Sequence, residues 1–169
     1  MSSFDDYLRL QEEKNEEIFT NQVFNALKSG LEYAEITEEI RNQIDLVILG
    51  SKITHSIADE RVKMLLFMAF LRLPGNDQIE GLKKRIDGYS TLLNHYYMRP
   101  SYQFFLLEGV KAHFSSNPSF APHIAGLLKH LSDRRIVAVR SILEWYEGIL
   151  EEEEEADILA LIRPLLRTL

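Results

Sequence analysis

The chain has no cysteine, which removes disulfides, thiolate nucleophiles and cysteine-ligated zinc from its chemistry. Glycine (8 residues) and proline (5 residues) are sparse and scattered over 169 positions. No GxxxxGK(S/T) loop is present to cradle a phosphate, no GxGxxG follows a strand, and no GxSxG elbow presents a serine. Almost no segment alternates apolar and polar residues with period two, so strands are not expected. The most apolar run, "MLLFMAFLRLP", falls far short of the roughly 20 residues that span a bilayer. The opening "MSSFDDYLRLQEEKNEE" is acidic and broken by charges, unlike a signal peptide. The histidines, His55, His95, His113, His123 and His130, show neither HExxH spacing nor an i, i+4 pair, and read as solvated or satisfied side chains. These absences argue against an enzyme, a metal and a cofactor. They leave a soluble, cytoplasmic binding module as the expectation.

What is present is helical. Apolar residues make up 46% of the chain and charged residues 27%, enough for one domain with a substantial core. Ile18, Phe19, Val23, Phe24 and Leu27 recur at helical spacing and should stop near Gly30. Thr37 is a candidate N-cap and Gly50 a candidate C-terminal stop for "EEIRNQIDLVIL". Ser56 could cap "IADERVKMLLFMAFLRL", and Asn76 a long helix running to Arg99-Pro100. Four further segments follow, separated by short turns. The pattern predicts an all-α fold of about eight helices in stacked antiparallel hairpins of the HEAT type. Residues 1–15 read as an acidic tail or accessory helix, and residues 16–169 as the domain.

Charge is unevenly distributed. Residues 1–60 carry 13 acids against 5 bases, residues 61–140 carry 5 against 12, and residues 141–169 carry 8 against 2. Such blocks suit separate surfaces for separate partners, or arise from solvating charges that happen to cluster. The acidic block contains the most conspicuous stretch, "SILEWYEGILEEEEEADILALIRPLLRTL". Trp145, with Ile142, Leu143 and Ile149 at helical spacing, reads as core, and Tyr146 as the more exposed ring. The glutamate run reads either as a solvated loop or as a docking surface for a basic partner.

The segment "HLSDRRIVAVRSILEWYEGIL" resembles the first aromatic-acidic box of the W2 domain. This is the C-terminal HEAT-type domain of translation initiation factor five, the epsilon subunit of initiation factor two-B, initiation factor four-G and the five-mimic regulators. Leu131, Asp133, Ile136, Val137, Ile142, Leu143, Trp145, Tyr146 and Glu147 fit its pattern, which closes on Ile-Leu-x-Trp-Tyr-Glu. "FLLEGV" and "RPLLRTL" are similar to stretches of factor five, and the likeness extends over residues 17–169. The chain departs from the family at Arg135, Val139 and Arg140, where acids are usual, and at Thr168, where a tryptophan is usual. The glutamate-rich second box is missing, and acidic density lies at residues 151–155 instead.

The resemblance implies a translation-initiation adaptor that helps assemble the pre-initiation complex. It would bind lysine-rich segments of initiation factors, notably the factor-two beta tail, with factors one, three and four-G as further candidates. The implied partner-binding set is Glu144, Trp145, Tyr146, Glu147, Glu151, Glu152, Glu153, Glu154 and Glu155. A second, basic surface would comprise Lys83, Lys84, Arg85, Arg134, Arg135 and Arg140, facing an acidic partner or RNA phosphates. The implied alternative is the nucleotide-exchange domain of the two-B epsilon subunit. Its essential glutamate falls on Val47 here, and a valine supplies no carboxylate. A monomer without membrane contact is expected.

Overall fold

The computed structural model describes residues 3–32, 38–152 and 156–169. Among these the chain is all-α: nine helices, two short 3-10 segments (Gly30–Glu32 and Pro118–His123) and no strand. The helices are α1 (Ser3–Ser29), α2 (Glu38–His55), α3 (Asp59–Leu71), α4 (Ile79–Gly88), α5 (Ser90–Tyr96), α6 (Pro100–Ser116), α7 (Ile124–Asp133), α8 (Val139–Glu151) and α9 (Ala156–Leu166). No described helix is long and apolar enough to cross a membrane.

Packing runs as a chain of neighbours. α1 lies against α2 and α3, α3 against α6, α6 against α8, α8 against α9, α9 against α7, and α7 against α4. The α3–α6 interface is the most extensive, and its sequence explains why. α3 is apolar nearly all round, burying Val62, Leu65, Leu66, Phe67, Ala69, Phe70 and Leu71, as a central helix must. α6 meets it at Gly109, where a Cβ would come within 2.8 Å of the Met64 carbonyl oxygen, so the lack of a side chain sets the approach. Phe67 stacks on Phe70 at 5.4 Å and meets Tyr97 edge-on at 6.0 Å, a geometry aromatic pairs favour.

Three tyrosines around α5 tie it to the first three helices. Tyr89 donates its hydroxyl to the Leu27 carbonyl, Tyr96 to Asp45 Oδ1 at 2.6 Å, and Tyr97 to the Lys63 carbonyl at 2.7 Å. Each phenol is buried, and a buried hydroxyl without a partner would cost about 1–3 kcal/mol. These three bonds therefore select one placement of α5 over its alternatives.

Several boundaries differ from the sequence expectation. α1 runs unbroken through residues 15 and 16, so residues 3–15 are its first half rather than a separate element. Arg61 grips Glu16 through two guanidinium nitrogens, at 2.5 and 2.9 Å, and ties the middle of α1 to α3. Gly50 does not stop α2, which continues to His55. The stop comes at Ser56, whose backbone turns left-handed at φ 53°. Ser56 therefore ends one helix instead of capping the next, and Ala58 takes the N-cap position of α3. Asn76 does not cap α4 either. It is buried and donates Nδ2 to the Phe70 carbonyl at 2.8 Å, closing the end of α3. The long helix expected before Arg99 breaks at Tyr89 into α4 and α5, where burying the Tyr89 ring and bonding its hydroxyl outweigh helical continuity. Thr37 lies outside the described residues.

Candidate functional site

At about 100° per residue the side chains of α8 fall on three faces. Ser141, Ile142, Trp145 and Ile149 are buried against α6 and α9. Glu144, Glu147 and Glu151, spaced three and four apart, form one exposed stripe that Glu152 continues past the helix end. Val139, Leu143, Tyr146 and Leu150 form a second stripe beside it. Val139 and Leu143 are each 39% exposed and Leu150 45%. Tyr146 is half-buried, and its hydroxyl accepts a hydrogen bond from Arg163 Nε of α9 at 3.4 Å. α8 thus presents an acidic edge flanked by an uncovered apolar one.

Trp145 must be removed from the expected docking set. It is 1% exposed, among the largest fully buried side chains, and its indole Nε1 has no hydrogen-bond partner among the described residues. Its position on α8 turns it away from the glutamate stripe, so it anchors the helix rather than meeting a partner. Glu144, Glu147, Glu151 and Glu152 are exposed, and Glu144 pairs with Arg140 Nε at 2.9 Å. Glu153, Glu154 and Glu155 lie outside the described residues.

The charges of α8 oppose its own dipole. A helix carries partial positive charge at its N-terminus and negative charge at its C-terminus, so acids are favoured early and bases late. Here no acid stands in the first turn and no base in the last. Arg140 occupies the beginning, and Glu147, Glu151 and Glu152 the end. Each misplaced charge costs about 0.3–1 kcal/mol at an exposed terminus. Such charges reinforce the backbone field at each pole and make it a better magnet for an external ion.

Several residues of the expected basic surface have partners within the fold. Lys83 pairs with Glu80 at 3.5 Å, and Arg85 donates to the Pro74 carbonyl at 2.6 Å. Arg134 pairs with Asp87 at 2.8 Å, an acid shared with His130. These residues sit on or beside α4 and α7; Lys83 and Arg134 are paired with acids there, Arg85 keeps its charge against a carbonyl, and Lys84 is exposed. Arg135 is exposed with φ 59° in the turn before α8, and Arg140 lies in the first turn of α8.

A further cationic cluster forms around Lys63. Lys63 of α3 holds its Nζ 4.6 Å from the centre of the Tyr102 ring and 5.1 Å from that of Tyr96. The Arg99 guanidinium lies 5.7 Å from the same Tyr102 ring. Burial lowers the Lys63 ammonium from its ordinary value, with Asp59 opposing and Lys52 adding to the shift. Beside it, Gln103 donates Nε2 to the Tyr97 carbonyl at 3.0 Å. Its Oε1 accepts from the Ala138 amide at 2.9 Å and from Ser141 Oγ at 2.8 Å. This one buried side chain joins the start of α6 to the start of α8. Val47, at the position of the exchange-factor glutamate, is half-buried against the core. Among the described residues, no group of three or more His, Asp or Glu side chains is placed to hold a metal ion.

The chain matches no protein-family model and no curated protein sequence.

Proposed function

We propose that this chain is an adaptor of the W2 type, which binds lysine-rich segments of translation initiation factors and helps assemble the pre-initiation complex. The observation that carries this reading is the exposed surface of α8, where a glutamate stripe runs beside an uncovered apolar stripe of Val139, Leu143, Tyr146 and Leu150. A segment that alternates lysines with aliphatic residues satisfies both edges at once. Ammonium groups meet Glu144, Glu147, Glu151 and Glu152, and lysine stems or apolar neighbours cover the leucines. Glutamates crowded at a helix C-terminus repel one another and the helix dipole, and a polycation relieves both. Opposite charge also steers encounter, so association should be fast and sensitive to salt. Tyr146 adds a ring face able to take a cation, worth about 0.5–1 kcal/mol at an exposed site.

The test is titration of a lysine-rich peptide taken from a factor-two beta tail, at low and high salt. It is repeated with Glu151, Glu152, Glu153, Glu154 and Glu155 changed to glutamine. Binding that weakens with salt and with those changes supports the adaptor reading. Absence of binding at low salt refutes it and leaves the glutamates a solvated end of α8.

A further inference from the structure

Lys63 is an unusual lysine. Its ammonium is partly buried between two tyrosine rings, at 4.6 and 5.1 Å, yet among the described residues no carboxylate, carbonyl or hydroxyl accepts a hydrogen bond from it. Arg99 stands against the same Tyr102 ring, with no ion pair of its own among the described residues. Five other bases are matched in place, Lys52 with Asp59, Arg61 with Glu16, Lys111 with Glu108, Arg134 with Asp87 and Arg140 with Glu144, whereas Lys84 and Arg135 are simply exposed. Two cations held over one ring repel each other, with Asp59 and Asp45 acting on Lys63 in the opposite sense, and both lose hydration where the ring covers them. α6 and α8, joined by Gln103, begin beside it without an acid in the first turn, while α3, which carries Lys63, begins with Asp59 and Glu60.

We infer that the cluster of Lys63, Arg99, Tyr96 and Tyr102 is a binding site for a phosphorylated serine or threonine on a partner protein. A phosphomonoester brings about −1.5 to −2 charges and three strong acceptor oxygens. It can accept from the Lys63 ammonium and the Arg99 guanidinium together, where one carboxylate offers a single charge. Tyr102 forms the wall that holds both donors, and Tyr96 is locked by its own hydrogen bond to Asp45. The same surroundings disfavour a nucleic acid strand. Asp45 and Asp59 lie close enough to act on the Lys63 charge, and the whole chain carries a net charge of −7. A continuous polyanion would run against those carboxylates over its length, whereas a single phosphorylated side chain meets them only once. This site is independent of the acidic edge of α8 and opposite to it in sign.

The test is fluorescence anisotropy with a labelled peptide carrying one phosphoserine, run beside its unphosphorylated form, its Ser→Glu form and a single-stranded RNA of similar length. Amide shifts of the 15N-labelled protein map the site. The phosphopeptide should bind about tenfold tighter than the unphosphorylated one and shift the amides of Ser101, Tyr102 and Gln103. Arg99→Gln should remove most of that preference, and Lys84→Gln, on another face, should leave it intact. Arg99 is exposed, so its replacement leaves the core whole, and a helical melting curve checks this. Equal affinity for the phosphorylated and unphosphorylated peptides, unchanged binding by Arg99→Gln, or binding of RNA alone would each overturn the assignment.

Discussion

The reversed charges on α8 give a quantitative test of whether its glutamates serve a partner or the fold. Consider Glu147→Gln, Glu151→Gln and Glu152→Gln made together. Glu151 is the last residue of the helix and Glu152 its C-cap, so both face the negative end of the dipole. Removing each charge relieves about 0.3–1 kcal/mol. Glu147 and Glu151 are also a like-charge pair at i, i+4, worth about 0.2–0.5 kcal/mol of repulsion. Discounting for solvent screening, the triple variant should be more stable by about 1–2 kcal/mol at low salt. For a chain of this length each kcal/mol moves the midpoint by about 2–4 °C, so thermal unfolding should shift up by about 3–6 °C. The gain should shrink at high salt. In the same variant, affinity for a lysine-rich peptide should fall at least about tenfold. A lower melting temperature would mean that the glutamates make stabilising contacts, and the argument from the dipole would be wrong. Higher stability with undiminished peptide binding would remove the glutamates from the docking surface.

Four further expectations concern the frame around the site. Trp145→Ala should cost about 3–5 kcal/mol in chemical denaturation. Trp145→Phe should cost much less, because the indole N–H it deletes has no hydrogen-bond partner among the described residues, and should leave lysine-peptide affinity unchanged. Gly50→Ala should raise stability by about 0.5–1 kcal/mol, since nothing lies within 4 Å of the added methyl in mid-helix. Gly109→Ala should lower it by about 1–3 kcal/mol, because its methyl would meet the Met64 carbonyl at 2.8 Å. His113 borders a polar cavity of about 290 Å³ with Arg72, Asn76 and His123, and its imidazole is held below the usual histidine value by burial, with Arg72 adding to the effect. The unfolded chain therefore binds the proton more readily. Stability should be full above the ordinary value of 6.5 and decline as the pH falls through and below it. His113→Gln should flatten that decline in melting curves taken across the range.

The helical class and most helix interiors were legible because apolar residues recur at a period of 3.6, a signal that tertiary contacts reinforce. The stops were less legible. Gly50, Ser56 and Asn76 all carry strong local signals, yet Gly50 is tolerated within α2, Ser56 turns left-handed after it, and Asn76 spends its amide on the end of α3. In each case burial of a neighbouring residue, Ser51 and Ile57 around the first two and Leu73 near the third, fixes the backbone before the cap can. The glutamate spacing on α8 could be read directly as one exposed stripe. The apolar stripe beside it could not, since α8 has apolar residues on two faces and only the placement of α9 decides which is covered. The Lys63–Arg99 pair was hidden for another reason: the residues stand far apart in sequence and both come to the ring of Tyr102 only in the fold.

The two poles of α8 also make a prediction about each other. With 13 residues at 1.5 Å rise, the helix separates its basic beginning from its acidic end by about 20 Å. At that distance in water a pair of unit charges interacts by about 0.2 kcal/mol. A peptide with three lysines at the acidic end and a phosphoserine at the other would attract each other by about 1 kcal/mol when screening is weak, a coupling of about fivefold. At physiological ionic strength the Debye length of about 8 Å is far shorter than the helix, and the coupling should vanish. The measurement is lysine-peptide affinity with and without saturating phosphopeptide, taken at both salt concentrations. Mutual enhancement only at low salt is the outcome that Coulomb coupling through solvent requires. Enhancement that survives at physiological salt would mean that the two sites communicate through a change in the packing of α8 against α6 and α9, and not through charge. Competition would mean that both peptides bind one surface, and the separation into two poles would fail.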